Sequence, residues 1–153
     1  MQMTPRFRPL RSNDREQISK FFSLMGEESS GFFNVDHGNE IRVNEFFENG
    51  KKDHLFYVFE LDGEIIGLTF LWDIDRTVPK MGIAVRDDVK GQGVGGRFLD
   101  SLLSNMRRDG YAGVILTTAV NNLRAQRLYQ SRGYERLGIA ENDEFIYIKR
   151  FEK

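Results

Sequence analysis

The chain has no cysteine, only three prolines, one tryptophan and two histidines in 153 residues. The missing cysteine excludes disulfides, a Cys nucleophile and thiolate metal sites. Two histidines without cysteine give no metal-ligand spacing, so no metal is expected. Charge of neither sign dominates: 22 Lys and Arg against 23 Asp and Glu leave a net charge of -1. General attraction to nucleic acid or to an anionic membrane is therefore not implied. No apolar run approaches membrane-spanning length. Residues 1–10 carry arginines and prolines but no long apolar core, unlike a signal peptide. A Gly-x-x-x-x-Gly-Lys-Ser/Thr loop is also missing, which argues against a Walker-type NTPase. The composition, 40% hydrophobic and 29% charged, is ordinary for a globular protein. The length suits a single domain, 1–153, with a real core, expected in the cytoplasm.

Against this plain background, four glycines cluster within six positions: Gly91, Gly93, Gly95 and Gly96. The apolar run Met81 to Val85 precedes them. Phe98, Leu99, Leu102, Leu103 and Met106 follow at helical spacing. Strand, glycine turn and helix in that order make an anion site, because a helix begins with unpaired N–H groups and a positive dipole end. Gly91-x-Gly93-x-x-Gly96 also fits the dinucleotide-binding spacing, and a tight helix start alone would use the same glycines.

The remaining chain supplies the frame. Arg6 to Leu10 reads as a short strand, placed at an edge by Pro5 and Pro9. Asn13 and Glu16 form a capping box ahead of Ile18, Phe21, Phe22 and Met25, predicting a helix over 13–25. Residues 26–39 are irregular and hold Phe32, Phe33 and His37. Asn39 caps a second helix over 40–48. Leu55 to Leu61 and Glu64 to Trp72 form a hairpin around Asp62-Gly63. In its second strand Ile66, Leu68, Phe70 and Trp72 share one face; Ile65, Gly67, Thr69 and Leu71 share the other. Met81 to Val85, apolar on both faces, is expected in the centre of a sheet, with Gly82 allowing a bulge or close approach. The helix after the glycines runs to about Arg108. Residues 113–120 are a strand, and Asn121 or Asn122 caps a short helix with Ala125, Leu128 and Tyr129. Two strands, 134–137 and 145–149, close the chain. The order βααββββαβαββ, with one strand open, indicates an α/β or α+β domain on a mixed sheet.

Two segments stand in a telling order: Val85-x4-Lys90-Gly91-Gln92-Gly93-Val94-Gly95, then Asn122-x-x-Ala125-x-x-Leu128-Tyr129-x-x-x-Gly133-Tyr134. Together they resemble the acetyl-CoA motif and the fourth-helix motif of the GNAT superfamily of acyl-CoA-dependent N-acetyltransferases. The resemblance implies a mixed, mostly antiparallel sheet of six to seven strands, flanked by about four helices and splayed between strands 4 and 5. It implies acetyl transfer from acetyl-CoA to an amine, by direct attack on the thioester in a ternary complex.

Residue by residue, the resemblance implies a pyrophosphate grip by the backbone of Gln92, Gly93, Val94, Gly95 and Gly96, next to Gly91. Lys90 stands where the family has Arg or Gln, and lysine lacks their planar recognition. Arg97 could assist from the helix. Ile83, Ala84 and Val85 would offer backbone to the pantetheine arm, one N–H serving as oxyanion donor. Asn122 and Ala125 would flank the arm. Tyr129 would be the general acid, its phenol suited to protonating a departing thiolate. The family's strand carboxylate, a general base, has no counterpart among Lys80, Met81 and Gly82. Glu27, Glu28, His37, Asp73, Asp75 or an ordered water remain open for that role. Phe32, Phe33, Phe46, Phe47 and Trp72 could wall an acceptor site or simply fill the core. Two other readings stay open: a non-catalytic acyl-CoA-binding regulatory module on the same fold, and a nucleotide-binding protein using the glycines alone. Relatives commonly dimerise, and the apolar end Phe145 to Ile148 is compatible with a homodimer.

Overall fold

A computed structural model describes residues 4–26, 38–50, 53–89 and 91–152. The elements are β1 (Arg6–Pro9), α1 (Arg15–Ser23), α2 (Gly38–Asn49), β2 (His54–Leu61), β3 (Glu64–Trp72), β4 (Lys80–Val85), α3 (Val94–Arg108), β5 (Gly113–Ala119), α4 (Leu123–Ser131), β6 (Glu135–Ile139) and β7 (Glu144–Arg150). The strand left open by the sequence does not form among the described residues: three strands, not four, separate α2 from α3.

The seven strands make one sheet in the order β1-β2-β3-β4-β5-β7-β6. Every neighbouring pair is antiparallel except β4 with β5. This is the expected architecture, with β4 central and the proline-flanked β1 at an edge. At the hairpin, Asp62 and Gly63 both take positive φ, 51° and 80°. Two successive left-handed residues give the turn whose twist matches its strands.

The sheet buries both faces unequally. On one, Ile18 and Phe21 of α1 and Val43 of α2 pack on Val58, Ile65, Leu68 and Phe70. On the other, Leu99, Leu102 and Met106 of α3 and Tyr129 of α4 pack on Leu71, Met81, Val114, Leu116 and Tyr147. Each fully buried side chain of this size contributes about 1.5–3 kcal/mol. Gly82 is required by a close approach: a Cβ there would lie 2.7 Å from the Phe70 ring.

Two local expectations are corrected. The first helix does not start from an Asn13–Glu16 box. A 3-10 turn over Ser12–Asp14 comes first, and α1 ends at Ser23. Asp14 is the organiser: its carboxylate accepts the Arg11 N–H at 2.7 Å and both terminal nitrogens of buried Arg8 at 2.9 Å. That partner lies across the turn in β1, outside the reach of local capping rules. The strict alternation expected in β3 also fails. The register jumps from Phe59↔Gly67 to Glu60↔Ile65, leaving Ile66 as an extra residue. This bulge sends Ile66 to the α3 side beside Phe59, Val94 and Phe98, while Ile65 joins Leu68 and Phe70.

Burial by itself would raise the Asp14 pKa, but the Arg8 and Arg11 hydrogen bonds outweigh it and hold the value below the ordinary one. A depressed carboxylate pKa stabilises the fold above its unfolded value and loses that effect as pH falls. Asp14→Asn is expected to cost about 3 kcal/mol in urea unfolding at pH 7, because it leaves Arg8 with a broken buried pair. The gap from wild type should narrow as pH falls below about 4, where Asp14 begins to protonate in the unfolded chain and then, at lower pH, in the folded one.

Candidate active site

β4 and β5 share a single bridge, Lys80↔Ile115, and then part. The pleat decides what this exposes. Arg86 donates its N–H to Ile66 of β3 at 2.9 Å, so residues 82, 84 and 86 direct their backbone toward β3. Ile83 and Val85 direct theirs the other way, into the widening gap. Of the three expected backbone positions, Ile83 and Val85 are thus available, whereas Ala84 is committed to pairing with Leu68.

The gap opens into a cleft of about 1300 Å³ that reaches both faces of the sheet. Met81, Val85, Leu116, Thr118, Leu128 and Tyr129 line it from the α3/α4 side; Phe70, Trp72, Ala84, Thr117 and Glu144 line it from the other. Gly91, Gly93, Val94 and Gly95 close one end. Gly91 and Gly93 have φ of 83° and 75°, which L side chains rarely adopt. Gly93 is the N-cap of α3 and brings no side-chain cap. The first intrahelical bond runs from Arg97 N–H to Gly93, leaving the N–H groups of Val94, Gly95 and Gly96 without helical acceptors. Gly96 has a different reason from anion binding. A Cβ there would meet the Arg132 guanidinium, which Asp100 holds with two hydrogen bonds. Gln92 and Arg97 are exposed and, with Gly96, are not among the cleft residues. Lys90 lies outside the described residues.

α4 presents the remaining expected groups. Asn122 caps it, accepting the Ala125 N–H at 3.3 Å, and both residues line the cleft. Gln126 ties the helix to the end of β5 by donating to the Ala119 and Val120 carbonyls at 3.1 and 2.9 Å. Tyr129 is 7% exposed, with its ring 5.4 Å from Tyr134 and 6.0 Å from Tyr147. Burial pushes its phenol pKa well above the ordinary value, so it is protonated at neutral pH. Tyr147 is fixed in turn by Arg136, which donates to its hydroxyl at 2.9 Å and stacks on Phe145.

The acceptor-side expectations divide. Trp72 lines the cleft, stacked on Phe70 at 5.3 Å. Phe46 and Phe47 belong to the core beneath α2. Asp73 pairs with Lys80 at 3.7 Å, and neither it nor Asp75 lines the cleft. Glu27, Glu28, Phe32, Phe33 and His37 lie outside the described residues. Sequence reasoning missed Thr117, Asn142 and Glu144. Glu144 accepts from Thr117 Oγ1 at 2.7 Å and from Asn142 Nδ2 at 3.2 Å. Only the β5–β7 register reveals that cluster. Among the described residues no group of three His, Cys, Asp or Glu could hold a metal, and no helix is long and apolar enough to cross a membrane.

The sequence profile of the acetyltransferase (GNAT) family matches residues 17–134. The chain belongs to the GNAT acetyltransferase family. Its similarity extends to a Bacillus subtilis (strain 168) protein described as a candidate ribosomal protein bS18-alanine N-acetyltransferase, 25% identical over 119 residues, covering 71% of this chain and 79% of that one. The fold matches the GNAT domain of S. lividans PAT with a TM-score of 0.83 at 16% identity, over 96% of this chain and 90% of that one. It also matches PaiA N-acetyltransferase from Thermoplasma acidophilum in complex with coenzyme A, with a TM-score of 0.79 at 17% identity, over 97% and 100% of the two chains. In this GNAT chain the splayed β4–β5 pair and the glycine turn border the cleft.

The buried phenol gives a direct test. The tyrosinate absorbance of Tyr129→Phe should superimpose on that of wild type up to about pH 10, because Tyr129 does not ionise there when folded. The stabilisation that its neutral form contributes below that value should fade as pH rises beyond it.

Proposed function

We propose that the whole chain, 1–153, acts as one N-acetyltransferase domain that moves an acetyl group from acetyl-CoA to an amine by direct attack in a ternary complex. The observation that carries this reading is the gap between β4 and β5, which lets a donor and an acceptor approach one point from opposite faces of the sheet.

The residues present fit the donor. Gly91 and Gly93 keep the turn open, and the free N–H groups of Val94 and Gly95 suit a pyrophosphate. A Cβ on Gly95 would lie 3.8 Å from Val85, so the passage between turn and strand is already close. Ile83 and Val85 have the unpaired backbone that an amide-bearing pantetheine arm can bind, and an N–H there would stabilise negative charge on the thioester oxygen. Asn122 combines its cap with a contact to the arm, and Ala125 leaves room beside it. Lys90 and Arg97 would add positive charge outside the turn. The thioester supplies the activated acetyl group. Tyr129 donates its proton to the departing sulfur; its buried ring holds the phenol in place, and the phenol carries its proton at working pH. The reaction would run in the cytoplasm and needs no metal.

A thiol-release screen over amines, polyamines and peptides with free N-termini tests the activity. The Bacillus subtilis relative makes alanine-ended peptides a reasonable first set. Acetyl-CoA binding without turnover on any acceptor would overturn it in favour of a regulatory acyl-CoA module. Tyr129→Phe should lower kcat by more than about tenfold with little change in acetyl-CoA affinity. Unchanged turnover would remove Tyr129 from the mechanism.

A further inference from the structure

The cleft has a carboxylate on the side opposite Tyr129. Register places Thr117 and Ala119 of β5 on the same face as Ile115, and Lys80↔Ile115 puts that face with Phe70 and Trp72. Ala119↔Glu144 adds Glu144 to it. Tyr129 packs on the other face, with Leu116 and Tyr147. Both side chains line the one cleft. Glu144 is anchored through a single oxygen: Thr117 Oγ1 and Asn142 Nδ2 both donate to Oε1. Its Oε2 has no partner among the described residues. The other charged residues along the cleft are Arg42, Arg124 and Asp87. Asp87 accepts the Gly26 N–H at 2.6 Å, and Arg42 accepts no proton.

We infer that Glu144 is the catalytic residue that receives the acceptor, binding a primary ammonium through Oε2 and taking the proton that must leave before attack. The inference rests on the acetyltransferase reading above and deepens it: the acceptor is a cationic primary amine, entering over Trp72 and Phe70. Protons and electrons balance. The ammonium gives one proton to Glu144, and the freed nitrogen pair forms the C–N bond as the C–S bond breaks. Sulfur takes the Tyr129 proton; the second nitrogen proton returns through solvent to the phenolate, and Glu144 releases its own to water. Thr117 acts as a positioning residue through its grip on Oε1.

Glu144→Gln keeps an oxygen for the Thr117 hydroxyl, so the fold should hold. With the best acceptor from the screen, kcat/KM at pH 7 should fall about 100-fold. Acetyl-CoA affinity by calorimetry should be unchanged. The deficit should shrink as pH rises toward the acceptor's own pKa, where the amine arrives neutral. A loss that does not depend on pH, or no loss, overturns the role of Glu144 while the acetyltransferase reading stands. A wild-type chain that acetylates only neutral or weakly basic amines overturns it as well. A wild-type chain with no turnover on any amine overturns both.

Discussion

A sheet that splits in its middle creates a need that the rest of this molecule answers. After the Lys80↔Ile115 bridge, β4 and β5 no longer satisfy one another, and a central strand carries backbone donors and acceptors that face no neighbour. Such groups are costly when buried and dry. The chain does not seal the gap. It surrounds it with polar groups: helical N–H groups at one end, Asn122 and Tyr129 on one face, Glu144 with Thr117 on the other. The surrounding packing keeps the split open. β3 holds β4 along six paired positions, and β7 holds β5 along seven, so each half of the sheet is paired up to its border.

The buried networks sit at the joints of this arrangement. Arg136, Tyr147 and Gln126 fix α4 against β5 and β7, which sets where Tyr129 points. Arg8, Asp14 and Glu60 fix the start of α1 against the edge of the sheet. Arg86, Asp88 and Glu64 fix the turn after β4, just ahead of the glycines. Each ties a helix or turn to a strand of the sheet.

Features governed by neighbours in sequence were legible from sequence. Asp62-Gly63 announced its hairpin, the Asn121-Asn122 pair the cap of α4, and the apolar spacing of Phe98 to Met106 its helix. The paired motifs around Gly91 and Tyr129 indicated the family. Features governed by residues distant in sequence were not legible. Asp14 takes its role from Arg8 across a turn. Ile66 bulges because Phe59 and Glu60 set the register on another strand. Glu144 reaches the cleft through a seven-residue ladder with β5, and nothing local marks it. The Trp72 and Glu144 side of the cleft was obscure for the same physical reason: its groups come from different strands rather than from one motif.

The border of the gap at Ile83 and Val85 is made of main-chain atoms, which has a consequence for drift. An N–H and a C=O belong to every residue except proline, which lacks the donor. Substitution at these positions can therefore change the side chain without touching the edge of the gap. What is inherited there is a shape, and the alphabet that can write it is wide. Chains that share only 13% of their residues with this one can keep nearly the whole fold, with a TM-score of 0.81.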